Sequence, residues 1–204
     1  LTKAEARERV EELFVKVGIP SPRERMNAYP HEMSGGMRQR AVIAMALCCN
    51  PCLLLADEPT TALDVTIQKQ ILNLFLELQE SDRMSIMMVT HDIGVAAQVA
   101  DQIAIMYGGI ILECGATRQV LETPANPYTK ALISAIPLPK YNAPDNQIIL
   151  KGEITSPINV TKSCRFAPRC IYAKPECFNQ EPALEEVEPG HFVKCHFVRE
   201  INGL

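Results

Sequence analysis

Two adjacent carboxylates and a histidine are the residues of this sequence best suited to chemistry. Asp57 and Glu58 follow the apolar residues 53–56, and His91 follows a second apolar run that begins at Ser85. A carboxylate at a strand end can hold Mg²⁺, and its neighbour can polarise an attacking water. A neutral histidine at the end of another strand can donate to a phosphate oxygen. The pattern predicts phosphate hydrolysis, with Asp57 as the Mg²⁺ ligand and with Glu58 and His91 as catalytic residues.

The segment MSGGMRQR, residues 33–40, predicts the start of an anion-binding helix. Ser34 stands at the N-cap position, and Gly35 and Gly36 leave backbone N–H groups that a phosphate can approach. Each pattern also has an ordinary interpretation, because Ser-Gly-Gly is common in turns, Asp-Glu-Pro at strand ends and Thr-His-Asp at helix starts. It is their order within residues 33–92 that favours the functional interpretation.

Taken in this order, the motifs resemble those of the ATP-binding subunits of ABC transporters. Residues 33–40 resemble the signature motif, LLLADEPT (53–60) the Walker B strand, ALDV (62–65) the D-loop and VTHD (89–92) the switch histidine. The resemblance implies ATP and Mg²⁺ as cofactors, and two subunits that close head to tail around ATP. The signature would contact ATP held by the second subunit, whereas Asp57, Glu58 and His91 would serve ATP on the chain's own side. The cofactor-binding residues it implies are Ser34, Gly35, Gly36, Gln39, Asp57 and Asp64.

The phosphate-cradling P-loop of such ATPases is missing from residues 1–204. None of the ten glycines is followed by Lys-Ser or Lys-Thr. Because the sequence also begins with Leu1, we expect it to be the C-terminal part of a longer ATPase. Alone, it is expected not to hydrolyse ATP.

The remaining patterns predict an α/β fold with a small extension. A capping box at Thr2 and Glu5 begins an amphipathic helix that ends at Gly18, and residues 65–80 form another amphipathic helix. Strands 102–107 and 110–114 are predicted to pair across Gly108-Gly109 and to close the sheet. We expect a partial ABC-type (RecA-like) domain over residues 1–116, with a helical subdomain over about 1–48 and the nucleotide core over about 49–116. A loop-rich extension over 117–204 is expected to follow.

Composition argues against nucleic-acid binding and against a membrane-spanning segment. The 204 residues are 47% apolar and carry a net charge of −4, so no basic face is available for nucleic acid. The apolar residues 41–56 are interrupted by Asn50-Pro51 and are predicted to be a buried helix and strand, so no membrane span is expected. Residues 1–17 are charged and amphipathic, unlike a signal peptide. The expected location is peripheral, on the cytoplasmic face of the cell membrane.

Residues 122–137 (ETPANPYTKALISAIP) resemble the segment that marks the oligopeptide and dipeptide importer branch of ABC ATPases. Asn126 stands where that branch usually has histidine. The resemblance implies ATP-driven import of di- and oligopeptides, with a second ATPase subunit and permease subunits as direct partners and a solute-binding protein as an indirect one. Alternatives are import of nickel or another small solute, and a non-transport ABC ATPase.

Four cysteines are expected to stabilise the extension, which is rich in proline and poor in large apolar residues. Cys164, Cys170, Cys177 and Cys195 lack the tight C-x₂₋₄-C spacing that zinc prefers, whereas a 4Fe-4S cluster tolerates wider gaps. Members of the same importer branch carry such a cluster on a similar pattern. We expect a 4Fe-4S cluster, with zinc or unligated thiols as alternatives. The other cysteines are expected to be small buried residues; they are Cys48, Cys49, Cys52 and Cys114.

Overall fold

The computed structural model describes residues 1–136, 147–153 and 162–203, so Pro137 of the marker segment lies outside the described residues. The chain forms two compact units, residues 1–99 and 100–204. No helix in the described ranges is both long enough and apolar enough to cross a bilayer. The elements of the first unit are α1 (Lys3–Lys16), α2 (Pro22–Arg25), α3 (Gly35–Leu47), β1 (Leu53–Asp57), α4 (Val65–Asp82), β2 (Ser85–Val89) and α5 (Ile93–Val99).

The helices of the first unit begin where the sequence supplies a cap. Thr2 and Glu5 form the predicted capping box of α1, and Gly18 follows the helix with φ +72°, a conformation that glycine adopts without steric cost. Ser34 caps α3 and Asp64 caps α4 through their side-chain oxygens. The buried faces of these helices meet in one apolar core, which includes Leu13, Ile43, Leu47, Leu54, Ile71, Phe75 and Leu78.

Strands β1 and β2 pair in parallel, with Leu55 opposite Met87 and Asp57 opposite Val89. One face of this pair contributes Leu54 and Ala56 to the core. The other face is open, because 68% of Leu55 and 59% of Met87 are exposed, as are Leu53 and Val89. Parallel sheets are normally covered on both faces. We call the surface of Leu53, Leu55, Met87 and Val89 the open sheet face.

The second unit is built around an antiparallel sheet with strand order β3-β4-β6-β5. The predicted hairpin is present, with positive φ at both Gly108 and Gly109. The prediction that this hairpin closes the sheet of β1 and β2 is wrong, because β4 pairs instead with β6, the strand that begins at His191. The elements are β3 (Gln102–Tyr107), β4 (Ile110–Ala116), α6 (Thr117–Glu122), α7 (Pro127–Ser134), α8 (Pro175–Asn179), β5 (Leu184–Glu188), β6 (His191–Lys194) and α9 (Val198–Asn202).

A buried carboxylate connects the pieces of this second unit. Glu113 has no exposed surface, and its Oε1 accepts from Ala125 N–H at 2.7 Å and from His191 Nε2 at 2.7 Å. Its Oε2 accepts from Asn126 N–H at 3.0 Å. With the Glu113 carboxyl as acceptor, Nε2 is the nitrogen of His191 that carries the hydrogen of this contact. The three donors compensate for the burial of Glu113 and tie β6 and the start of α7 to β4.

Asn126 extends the same network with its amide. Its Nδ2 donates to the carbonyls of Leu112 at 3.2 Å and Lys194 at 3.1 Å, and its Oδ1 accepts from Tyr128 N–H at 2.9 Å. Asn126 is therefore the N-cap of α7 and a bridge between β4 and β6. At this position, where the importer branch that the sequence resembles usually has histidine, Asn126 supplies two N–H donors and one acceptor to a buried junction.

The two glycines of the signature differ in what surrounds them. A methyl group built on Gly36 would lie 2.7 Å from Cγ2 of Ile67 on α4, whereas one on Gly35 would lie 3.6 Å from Leu63. Ile67 is β-branched and cannot easily rotate away. Gly36 is therefore required by the close packing of α3 on α4, in addition to any role for its N–H.

We expect Gly36→Ala to lower the free energy of unfolding of the first unit by about 1–3 kcal/mol, the usual cost of overpacking. Gly35→Ala is the matched control, because it adds the same methyl group at an ordinary contact distance and increases helix propensity by up to about 1 kcal/mol. Urea unfolding followed by far-UV circular dichroism measures both. Equal stability of the two variants would contradict this account of the packing.

Candidate functional site

The pairing of β1 with β2 brings the predicted catalytic residues together. Asp57 is the last residue of β1, and Glu58 follows it with its N–H donating to Val89 O at 2.8 Å. The segment after Val89 carries His91, whose Nδ1 lies 3.0 Å from Glu58 Oε1. The carboxyl ends of two parallel strands therefore place Asp57, Glu58 and His91 at one edge of the sheet.

Glu58 is held by two side chains in an unusual backbone conformation. Thr61 Oγ1 donates to Glu58 Oε2 at 2.8 Å, while His91 occupies Oε1. The contact with His91, and secondly that with Thr61, lowers the pKa of the Glu58 carboxyl. Glu58 has φ +44°, a left-handed conformation that costs a non-glycine residue energy and is concentrated at functional sites. The carboxylate is thus ionised and oriented, and 45% of the side chain remains open to solvent.

The contact with Glu58 determines which nitrogen of His91 is protonated. Because a carboxylate only accepts, Nδ1 carries the hydrogen, and Nε2 of the neutral ring is an acceptor. The neutral ring therefore uses its one N–H for Glu58. Donation from Nε2 to a phosphate requires protonation of the ring. His91 is 75% exposed, so water can reach Nε2. Its role as a donor to phosphate stays a prediction, but while Nδ1 contacts Glu58 that role belongs to the protonated ring and not to the neutral ring that the sequence suggested.

The N-terminus of α3 has the features of an anion site. Ser34 Oγ accepts from Met37 N–H at 3.2 Å, which leaves the hydroxyl hydrogen able to donate outward. The N–H groups of Gly35 and Gly36 lie in the first helical turn, where no helix carbonyl is available to them. Arg38 Nη1 donates to Met33 O at 2.9 Å and fixes the backbone just before the cap. These donors fit a phosphate, and the exposed Asp57 carboxylate fits Mg²⁺.

Asp64 and Gln39 are the other two residues that were predicted to bind the cofactor. Asp64 Oδ1 accepts from the N–H groups of Thr66 and Ile67, both at 3.0 Å, so its observed role is the N-cap of α4. Gln39 lies half-buried on α3, one turn beyond the signature glycines. Their predicted roles in cofactor binding stay predictions.

The prediction of an iron–sulfur cluster is wrong, and zinc is not supported either. Cys164, Cys170, Cys177 and Cys195 do line one cavity, together with apolar residues such as Phe166. However, among the residues that the structure describes, no three His, Cys, Asp or Glu side chains are arranged to hold a metal ion. The cavity measures about 20 Å³, which is room for roughly one water.

The four cysteines that line this cavity are instead packing residues. Burial raises the pKa of Cys164 and Cys170, and it raises the pKa of Cys195 to about 11. Cys164 N–H donates to Cys177 O at 2.8 Å, which joins the segment before Phe166 directly to α8. Tyr107, Tyr128 and Phe166 pack beside them, with ring centroids 4.8–5.3 Å apart. Apolar and aromatic packing thus supplies the stabilisation that the sequence had suggested would come from metal.

Thr61 of the candidate site, and the buried pair of Glu113 and His191, were not predicted from the sequence. Thr61 follows Glu58 by three residues in the turn before α4, a spacing that allows a hydroxyl to reach back to the carboxylate. This spacing could have been used to predict that Thr61 contacts Glu58. Glu113 and His191 are separated by 78 positions, and nothing in their local sequence indicates their contact.

Two family models match this chain. The model of the ABC transporter family matches residues 2–61, and the model of the oligopeptide/dipeptide transporter C-terminal region matches residues 112–177. The first covers the signature and Asp57 with Glu58. The second covers the hairpin strand β4 and the Asn-Pro-Tyr-Thr segment.

Relatives and solved structures agree with these matches. The dipeptide transport ATP-binding protein DppD of Escherichia coli (strain K12) is 43% identical over 196 residues, which are 96% of this chain and 59% of the relative. The oligopeptide transport ATP-binding protein OppD of Bacillus subtilis (strain 168) is 47% identical over 95% of this chain and 54% of its own length. The chain thus spans between half and two thirds of these relatives. A dimeric post-hydrolysis structure of the ATP-binding cassette MJ0796 with ADP and Pi has a TM-score of 0.51 at 34% identity, covering 58% of this chain and 50% of that one. The predicted fold class, a partial ABC-type nucleotide-binding domain, is confirmed.

We expect Asp64→Ala to destabilise the first unit by about 1 kcal/mol, because two N–H groups at the start of α4 lose their acceptor. Asp64→Asn is the matched control, since asparagine caps helices as well as aspartate does but carries no charge. Thermal unfolding of both variants separates the cap from the charge. A loss of stability in Asp64→Asn as large as that in Asp64→Ala would show that the charge, and not the cap, matters for folding.

Proposed function

Because this chain belongs to the ABC transporter family of ATP-binding proteins, in its oligopeptide and dipeptide branch, we propose that it is part of an ATP-hydrolysing subunit that energises peptide import. The observation that carries the ATPase proposal is the Glu58 carboxylate, held by His91 and Thr61 beside Asp57. The peptide cargo is supported by the match of residues 112–177 and by the names of the relatives.

In the proposed reaction each residue of the site has a separate task. Asp57 supplies an oxygen ligand for Mg²⁺, which when bound neutralises charge on the phosphates. Glu58 orients the attacking water and takes up its proton as the P–O bond breaks. Thr61 and His91 fix the two oxygens of that carboxylate, so the proton acceptor is positioned before water arrives. Ser34, Gly35 and Gly36 bind a phosphate through their O–H and N–H groups.

The exposed apolar side chains of the open sheet face indicate where a phosphate-cradling segment would pack. This face ends at Asp57 and leaves four apolar side chains exposed on a two-stranded parallel sheet, which is marginally stable by itself. The relatives are longer than this chain. We propose that a phosphate-cradling segment of the intact subunit covers this face and brings the phosphates to Asp57 and Glu58.

The proposed assembly follows from the family. A second ATPase subunit would close onto the signature surface, and permease subunits would hold the pair at the cytoplasmic face of the membrane, with a solute-binding protein as an indirect partner. The dimeric cassette among the structural neighbours supports the first of these contacts. We further propose that residues 1–116 belong to the ATPase domain and 117–204 to the branch-specific extension.

We expect Glu58→Gln, in a subunit extended to the length of its relatives and assembled with its permease, to keep ATP binding and to lower ATP turnover by about 10²–10⁴-fold. Glutamine preserves the size of the side chain but cannot take up a proton. Glu80→Gln, at the far end of α4, is the control for the same chemical change and should hydrolyse ATP normally. Steady-state phosphate release at saturating ATP is the measurement. Near-normal turnover in Glu58→Gln would remove Glu58 from the mechanism.

We expect Thr61→Val to lower kcat roughly tenfold, the scale of one hydrogen bond to a charged group, with KM for ATP unchanged. Valine matches threonine in shape and lacks the hydroxyl that reaches Glu58. Thr61→Ser restores the hydroxyl and should restore kcat. A parallel loss of rate in the valine and serine variants would mean that Thr61 acts through packing.

A further inference from the structure

Three of the eight cysteines lie within residues 48–52, on the loop between α3 and β1. Cys48, Cys49 and Cys52 are all exposed, contrary to the expectation from sequence that they are buried. Cysteine is among the residue types most often buried, so three exposed thiols in five residues are unusual. We call these residues the loop trio.

Two thiols of the loop trio lie close together. Cys48 Sγ and Cys49 Sγ lie 4.0 Å apart. Asn50 N–H donates to Leu47 O at 3.0 Å, and Arg9 Nη2 donates to Asn50 Oδ1 at 2.6 Å, so the turn is anchored on both sides. Cys52 O accepts from Ser85 N–H at 2.9 Å at the start of β2. The thiols are thus gathered on a short turn that is the chain's covalent link from the signature helix to the strand of Asp57.

Four of the cysteines outside the loop trio have a raised pKa, which lowers their reactivity. Burial raises the pKa of Cys114, Cys164 and Cys170, and it raises that of Cys195 to about 11. Since the thiolate is the nucleophile in disulfide exchange, the pKa of Cys195 lowers its reactive fraction near pH 7 by roughly two orders of magnitude. Thiol reactivity in this chain is therefore concentrated in the loop trio.

We propose that the loop trio is a thiol-modification site that exchanges with low-molecular-weight disulfides of the glutathione class and closes to an intramolecular disulfide between Cys49 and Cys52. The Cys49 thiolate attacks one sulfur of glutathione disulfide, which forms a mixed disulfide and releases one glutathione. The Cys52 thiolate then attacks the Cys49 sulfur and releases the second glutathione. Two protein thiols are oxidised, one glutathione disulfide is reduced, and the two thiol protons pass to the two glutathione molecules.

The choice of Cys49 with Cys52 follows from backbone geometry. Adjacent Cα atoms are about 3.8 Å apart, shorter than the roughly 4.4–6.8 Å that disulfides span, so a bond between Cys48 and Cys49 would be strained. Cys49-Asn50-Pro51-Cys52 has the C-x-x-C spacing of redox-active dithiols. Asn50, which lies between the two cysteines, is exposed and has φ +47°. Disulfides of this kind in a reducing compartment are transient and redox-responsive.

The test uses the folded 204-residue chain with glutathione disulfide as the probe. After exchange, the remaining thiols are blocked with an alkylating agent and the chain is digested with trypsin. Cleavage after Arg40 and Lys69 gives residues 41–69, a peptide that contains the loop trio and no other cysteine. Mass spectrometry then locates the disulfide, and a thiol assay on the small-molecule fraction of a sample withdrawn before alkylation counts the released glutathione. This experiment needs no ATP, so its failure leaves the proposed function untouched.

We expect two glutathiones released per chain, a disulfide between Cys49 and Cys52, and modification of Cys195 at least about tenfold slower than that of the trio. Cys48→Ser should close as the unmodified chain does, and Cys52→Ser should stop at the mixed disulfide. Cys114→Ser is the control for removing an unrelated thiol and should change nothing. Closure in Cys52→Ser at the normal rate, reaction of Cys195 before the trio, or an unreacted trio would each overturn the proposal.

Discussion

The parallel pairing of β1 with β2 is the constraint on which the candidate site depends. Glu58 and His91 are 33 positions apart in sequence, and their 3.0 Å contact exists because both follow strands that end at the same edge. Glu58 N–H bonds to Val89 O and extends the pairing by one residue beyond the strand. Glu58 has a left-handed conformation at this point, and its carboxylate contacts both His91 and Thr61.

The second unit depends on an interaction of a different kind. Glu113 is an ionisable side chain without exposed surface, and a group of this type is tolerated only when donors surround it. The donors come from two separate parts of the chain, residues 125–126 and His191, and the Asn126 amide also donates to the Lys194 carbonyl at the end of β6. One carboxylate thereby fixes where the marker segment of the importer branch begins its helix. The segment is held by polar bonds at its start and by aromatic packing along α7.

Local signals in the sequence predicted elements well and long-range pairing poorly. The capping box at Thr2, the N-caps at Ser34 and Asp64 and the Gly108-Gly109 turn each depend on residues within a few positions of one another, and each is present. The pairing of β4 with β6 joins residues about 80 positions apart, and no periodic pattern records it. The cysteines were misjudged for a related reason. Spacing along the chain does not reveal that Cys164 and Cys195 border a cavity of about 20 Å³, or that Cys49 is exposed.

The open sheet face also has a consequence for the life of the chain before assembly. Exposed, contiguous apolar side chains such as Leu55 and Met87 are the kind of surface that molecular chaperones retain and that proteolytic quality control removes. A chain in which this face stayed uncovered would therefore be short-lived in a cell.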